Sequence, residues 1–146
     1  MDIKVNATQQ VTQTSAPEQA QVTDDKFRFI LSSRIADDGL AERLNVMIQD
    51  ITQQGKQIGK KHDIRDMQRY RTLIKGFLNE IVTRSHAFSR ENFLDKKGRH
   101  RVYGIIRLVD ENLDELAQEL LKDEKDTIAI MGKIGNIEGL LLDIFT

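Results

Sequence analysis

The side chains best suited to catalysis or metal binding are three histidines, His62, His86 and His100, which stand far apart in the chain. The sequence contains no cysteine, which excludes thiolate nucleophiles and cysteine-based zinc sites. Asp63 and Asp66 follow His62 closely enough to share a metal ion with it, but such a cluster is more typical of a capped helix start. The Glu-x-x-His pairs by which helical bundles hold two irons do not occur. We therefore predict no metal and no cofactor.

A second polar pattern is formed by Tyr103, Arg107, Asp110 and Asp114, whose spacing places them along one edge of a helix. A tyrosine and a carboxylate could share a proton there. Ion pairs with this spacing are, however, common on helix surfaces and stabilise a fold only weakly. Because no nucleophile or acid–base pair stands out, we predict no catalytic residues and a protein that is not an enzyme.

The best candidate for binding is a basic cluster just before and inside the first turn of a predicted helix. It consists of Lys96, Lys97, Arg99, His100 and Arg101. Cations at a helix N-terminus oppose the helix dipole, so their concentration there is unfavourable unless an anion offsets it. A phosphate, a nucleic-acid backbone or a carboxylate of the last helix could do so. A solvated or intramolecular role is favoured over a ligand site, because exposed charges cost little in salt.

The stretch from Thr127 to Thr146 is predicted to be a helix with two faces that avoid water. One face carries large apolar side chains at steps of four and three: Ile130, Ile134, Ile137, Leu141 and Ile144. The opposite face carries three glycines flanked by Ile128 and Leu142: Gly132, Gly135 and Gly139. Each glycine inside a helix costs about 1 kcal/mol relative to alanine. We therefore expect this face to pack closely, either within the chain or between two chains.

Composition predicts one helical domain without membrane spans. The chain has 146 residues, 39% of them hydrophobic, and a single proline. No apolar run approaches the eighteen or so residues of a membrane span, and the first ten residues do not resemble a secretory signal. These features, with the absence of cysteine, predict a cytoplasmic protein.

The net charge of −1 conceals a strong segregation along the chain. Residues 56–107 hold fourteen Lys and Arg against five Asp and Glu, whereas residues 108–146 hold three against ten. Basic and acidic helices that lie side by side and neutralise each other are the favoured explanation. The alternative is a basic surface in segment 56–107 for nucleic acid or nucleotides, a partner that is not favoured because dedicated binders are basic overall.

Apolar periodicity divides the chain into a tail and a bundle. Residues 1–25 show no sustained periodicity and are predicted to be a disordered tail, followed by a single domain over residues 26–146. Four long helices are predicted, with an additional short one allowed near the N-terminal side. Their ranges are 40–60, 63–86, 99–121 and 127–146, and the short helix would span 25–35. The fold class is therefore all-α, an antiparallel multi-helix bundle.

Two details of the helices remain to be decided by the structure. Gly55 stands in the apolar seam of its helix, so a neighbouring helix is expected to approach closely there. Residues 122–126 place charges where the seam would continue, which predicts a turn. One continuous helix through this segment stays open, because no glycine or proline enforces the break.

Several of these residues together resemble the YaaR family of small bacterial helical proteins. The matching features are the segment 51–55, Tyr70 with Phe77, the Lys97-Gly98-Arg99 turn before Val102 and Tyr103, Val109-Asp110 with Leu113 and Leu116, and the ending from Ile134 to Ile144. The likeness extends from about Phe27 onward. It implies an all-helical fold in a bacterial cytoplasm, and the family has no assigned catalytic residues to carry over.

The function predicted from these patterns is a non-enzymatic interaction or adaptor protein that works through helix surfaces on a protein partner not yet identified. A homodimer is one form that this could take. The alternative is a weak binder of nucleic acid or nucleotides through the basic segment 56–107.

Overall fold

The computed structural model describes residues 25–31, 35, 38–84 and 96–145 of the chain. The tail predicted over residues 1–25 lies, apart from its last residue, outside this part. Five helices are present in it: α1 (25–31), α2 (Asp38–Lys61), α3 (Asp66–Thr83), α4 (Lys96–Leu121) and α5 (Thr127–Asp143). Besides them, the described residues form short irregular connections and turns, and an isolated β-bridge position at Ile35. The predicted all-α class is confirmed.

The long helices form two antiparallel pairs, α2 with α3 and α4 with α5, which pack into one bundle. α5 also contacts α2, and α3 touches α4. Three of these contacts are marked by a pair of residues distant in sequence. Arg101 of α4 reaches Asp143 of α5, Arg71 of α3 pairs with Asp114 of α4 at 2.8 Å, and Gly59 of α2 lies against Met131 of α5.

The predicted apolar face of α5 is buried in the centre of this bundle. Ile130, Ile134, Ile137, Leu141 and Ile144 all lie in the core. Phe145, which follows the helix in a turn, is fully buried as well. Its ring meets that of Phe77 in α3 edge to face, with the centroids 6.2 Å apart. The end of α5 is thereby attached to the opposite helix pair.

The connection between α2 and α3 follows from local backbone chemistry. His62 adopts a positive φ of 52° and donates its backbone N–H to Ile58 O, which ends α2 in the left-handed conformation that commonly terminates helices. The third helix was predicted to start at residue 63, in a capped helix start that includes Asp63. Instead α3 begins at Asp66, and the carboxylate of Asp63 accepts from the backbone and side chain of Arg65. These hydrogen bonds lower the pKa of Asp63 to about 2.

Residues 122–126 separate α4 from α5, so the predicted turn is confirmed and the continuous helix is wrong. The side chain of Asp126 accepts from Ala129 N at 3.1 Å, which caps the first turn of α5. A local helix start of this kind needs no glycine or proline. Within the described part of the chain, none of the helices combines the length and the apolar character that crossing a membrane requires.

Candidate functional site

The glycine face of α5 points away from the bundle. A Cβ atom built on Gly132, Gly135 or Gly139 would meet nothing within 4 Å. The expectation that this face packs closely within the chain is therefore wrong for the described residues. The physical reason is the position of α5, which has α2 on one side, α4 on the other and the core beneath. Whether the face packs between chains remains a prediction.

The side chains around these glycines make the exposed face apolar. Ile128 is 86% exposed, and Leu142, two turns after Gly135, is half-buried. Met131 is 51% exposed and lies at the edge of this face, with its sulfur packed against Gly59 of α2. We call the surface formed by Ile128, Met131, Gly132, Gly135, Gly139 and Leu142 the α5 face. Apolar surface that is left uncovered on a folded protein marks a site of association more often than an isolated exposed side chain does.

Gly55 behaves in the opposite way to the glycines of the α5 face. A Cβ atom at Gly55 would lie 3.2 Å from Ile134 Cγ2 and 3.5 Å from both Cε1 and the hydroxyl oxygen of Tyr70. The predicted close approach at Gly55 is confirmed, and it is α5 and α3 that approach. The missing side chain lets α2 pack against both helices at once.

The basic cluster at the start of α4 has one member with a clear structural role. The guanidinium of Arg101 donates to Asp143 O and to Ile144 O, each at 2.7 Å. These carbonyls belong to the C-terminal end of α5, where the helix leaves acceptors unpaired and the dipole favours a cation. His100 is exposed. The side chains of Lys96, Lys97 and Arg99 lie outside the described part, so the candidate anion site stays a prediction.

Replacing Arg101 with glutamine is expected to lower the free energy of unfolding by about 1–2 kcal/mol, because two charge-assisted hydrogen bonds to α5 are lost. Lysine at this position should restore only part of the lost stability, since it keeps the positive charge but lacks the planar guanidinium that donates two hydrogen bonds. Urea unfolding followed by circular dichroism measures the change. His100→Ala is the matched control and should stay near wild type; equal stability of all the variants would contradict the capping role.

The polar residues predicted along one edge of α4, which are Tyr103, Arg107, Asp110 and Asp114, include a contact between helices. Asp114 binds Arg71 of α3, and the exposed Tyr103 lies one turn before Arg107 on the outer surface. On the other side of α4, Glu115 forms an ion pair with Lys133 of α5. Charged groups of α4 thus bridge to both neighbouring helices.

The metal cluster considered around His62 is used in other ways. Asp63 binds Arg65, and the backbone oxygen of Asp66 accepts from the buried Gln54 at 3.0 Å. In the ranges that the structure describes, no group of three or more His, Cys, Asp or Glu side chains is arranged to hold a metal ion.

The polar group that sequence reasoning missed is the hydroxyl of Tyr70. The side chain is fully buried between α2 and α5, and its oxygen has no hydrogen-bond partner among the described residues. Burial raises the pKa of Tyr70 above its usual range, and the carboxylate of Glu138 raises it further. The helical spacing placed Tyr70 in the core correctly, but it contains no information on what its hydroxyl meets. Such a phenol stays neutral and is a poor base.

Tyr70→Phe is expected to leave the fold intact and to raise the free energy of unfolding by about 1 kcal/mol, because an unpaired buried hydroxyl is removed without loss of ring volume. Thermal or urea unfolding measures the effect. Tyr103→Phe is the control, since that hydroxyl belongs to an exposed side chain. A clear loss of stability in Tyr70→Phe would mean that the hydroxyl is paired in solution.

Together these observations define the class of the protein: an all-α antiparallel bundle with one apolar helix face exposed. Comparison with known proteins assigns it further. The chain belongs to the family described as a protein of unknown function, DUF327, which matches residues 3–145. Together with the likeness to YaaR given next, this match confirms the resemblance to the YaaR family.

Two relatives show how far the likeness extends. The uncharacterised protein YaaR of Bacillus subtilis (strain 168) is 30% identical over 105 residues, which cover 72% of each chain. The crystal structure of the uncharacterised protein BH1478 from Bacillus halodurans matches with a TM-score of 0.63 and 26% identity, over 90% of this chain and 97% of that one. Neither relative has an assigned activity in its description, so function has to be argued from the surface.

Proposed function

We propose that this protein is a non-enzymatic interaction protein that binds a protein partner through the α5 face, and that it acts in the cytoplasm. The observation that carries the proposal is the exposure of this face. Three glycines that weaken α5 as a helix, by about 1 kcal/mol each, contact nothing inside the described chain. Close approach of a second backbone is the condition under which bare glycines improve packing.

The flanking side chains support the same proposal. Ile128 and Met131 keep much of their apolar area in water, and covering this area would release about 25 cal/mol for each Å² removed from water. An enzyme would need reactive groups in a sheltered site. The side chains around the α5 face instead suit apolar helix packing.

Affinity capture with variants of the whole chain tests this proposal. Gly135→Glu places a charge in the middle of the α5 face, and Gln68→Glu adds the same charge to an exposed position of α3. Wild type and Gln68→Glu should capture the same partner from a lysate of the native cell, with the chain itself counted as a partner, and Gly135→Glu should lose it. Equal capture by all three proteins would refute the role of the α5 face.

The nucleic-acid alternative predicts a different result. Binding through Lys96, Lys97 and Arg99 would appear as retention on immobilised DNA or RNA that falls steeply with salt and is lost when the three are changed to alanine. Arg101 is left unchanged in this variant, because it supports α5. Such retention, combined with capture that does not depend on Gly135, would replace the proposal with the alternative.

A further inference from the structure

The α5 face has a spacing and a charge environment that suit one partner in particular. We propose that it binds the α5 face of a second copy of this chain, with the two α5 helices antiparallel around a two-fold axis at Gly135. This inference rests on the proposed function and names its partner.

The first argument is the spacing of residues around Gly135. A two-fold interface brings residue i of one copy to residue j of the other, and j to i. Ile128 and Leu142 stand seven residues to either side of Gly135, and Met131 and Gly139 stand four residues to either side. In the antiparallel pair, Ile128 therefore meets Leu142 of the second copy. The exposed half of Met131 faces the bare backbone at Gly139 of the second copy, while its sulfur stays against Gly59 of α2. The first pair joins two large apolar side chains, and the second sets a large side chain over a glycine.

The second argument is the charge of α4, which lies beside α5. Its first part, residues 96–107, contains five Lys and Arg and no acid. Its second part, residues 108–121, contains five Asp and Glu and no Lys or Arg. Because α4 and α5 are antiparallel, the α4–α5 pair is basic at the end where Arg101 holds the C-terminus of α5. It is acidic toward the other end, around the 122–126 turn.

These charges select the orientation of the second copy. A two-fold axis that lies in the interface and reverses the direction of α5 leaves both α4 helices on the same side of the dimer. The basic part of one α4 then lies beside the acidic part of the other α4, and the two-fold axis repeats this contact. Parallel α5 helices would place their acidic turns together and their basic ends together. Complementary potentials favour the antiparallel arrangement and disfavour the parallel one.

The size of the contact sets the conditions of the experiment. α5 has seventeen residues, so an interface centred on it lies at the small end of specific interfaces, where association is weak or transient. Sedimentation equilibrium of the purified full-length chain, from about 1 µM to about 1 mM, covers the corresponding range of dissociation constants. We expect a reversible monomer–dimer equilibrium. A monomer at every concentration would overturn the inference.

A charge at the two-fold axis tests the location of the contact. Residue 135 of one copy faces residue 135 of the other, so Gly135→Glu sets two carboxylates against each other. We expect the dimer dissociation constant to rise by about tenfold or more, while circular dichroism shows an intact helical monomer. Gln68→Glu, which makes the same change in net charge on α3, should dimerise like wild type. A dimer that is unaffected by Gly135→Glu would overturn the inference.

Cross-linking tests the orientation directly, because the chain has no cysteine of its own. Ile128→Cys and Leu142→Cys are prepared as separate single variants, mixed and oxidised. The antiparallel dimer predicts a disulfide mainly between the two different variants. A disulfide that forms preferentially between two copies of Ile128→Cys would show the parallel arrangement and overturn the inference, as would the absence of any disulfide at concentrations where a dimer sediments.

The two proposals fail in distinguishable ways. If the chain is monomeric but still captures another protein in a manner that Gly135→Glu abolishes, the inference is wrong and the proposed function stands. If Gly135→Glu changes neither dimerisation nor capture, both are wrong.

Discussion

Phe145→Ala is expected to lower the free energy of unfolding by about 3–5 kcal/mol, the range for truncating a buried phenylalanine. Residues that follow the last helix of a domain are usually frayed and tolerant of change. Phe145 differs because its side chain is fully buried and packs edge to face on Phe77 of α3. Truncation would leave a cavity between the two helix pairs and remove an aromatic contact.

Urea unfolding of the full chain measures this loss. Ile128→Ala is the control, because it truncates a large apolar side chain that is 86% exposed on α5. We expect that variant to lose less than about 1 kcal/mol. Phe145→Leu should fall between the two, since most of the volume is kept. If Phe145→Ala and Ile128→Ala were equally mild, Phe145 would not be packed in solution as described.

Gly55→Leu and Gly135→Leu form the second prediction, a pair with opposite signs. At Gly55 the new side chain starts 3.2 Å from Ile134 and 3.5 Å from Tyr70, so α2, α3 and α5 are forced apart. We expect a loss of about 3 kcal/mol or more, at the upper end of the cost of overpacking. At Gly135 the added atoms enter solvent, and the better helix propensity should raise monomer stability by about 1 kcal/mol.

Thermal unfolding at low protein concentration, where the monomer is observed, separates the two variants. Gly55→Ala adds a graded test, since its single Cβ atom requires Ile134 to move by only a few tenths of an ångström. A destabilised Gly135→Leu monomer would show that the α5 face is covered within the chain. A stable Gly55→Leu would show that the helices can separate there at little cost.

Much of the architecture followed from periodicity. The apolar spacing of α5 assigned Ile130, Ile134, Ile137, Leu141 and Ile144 to one face, and all five are buried. Periodicity succeeds here because a soluble helix must place its apolar face in the core, whichever neighbours it has. It failed to locate the start of α3, since the short turn after His62 is set by individual hydrogen bonds and not by a repeated pattern.

The candidate surface was found only in part. The sequence singled out Arg101 as a cation in an unfavourable place and named a carboxylate of the last helix as one possible counter-charge. The acceptors that the structure shows are two backbone carbonyls, which no sequence pattern displays. These carbonyls lie more than forty residues from Arg101 along the chain. Only the antiparallel pairing of α4 and α5 brings them next to it.

The glycines show most clearly which features follow from the sequence and which depend on the tertiary structure. By itself the sequence determined that Gly55, Gly132, Gly135 and Gly139 lie inside helices, and which face of each helix they share. Only the packing decided that Gly55 meets Tyr70 and Ile134 whereas the other three meet nothing in the described chain. A helix can have neighbours on all of its sides. In this bundle α5 has them on three sides, because two helix pairs enclose a core without surrounding any one helix. The exposed fourth side is the surface on which we expect the protein to act.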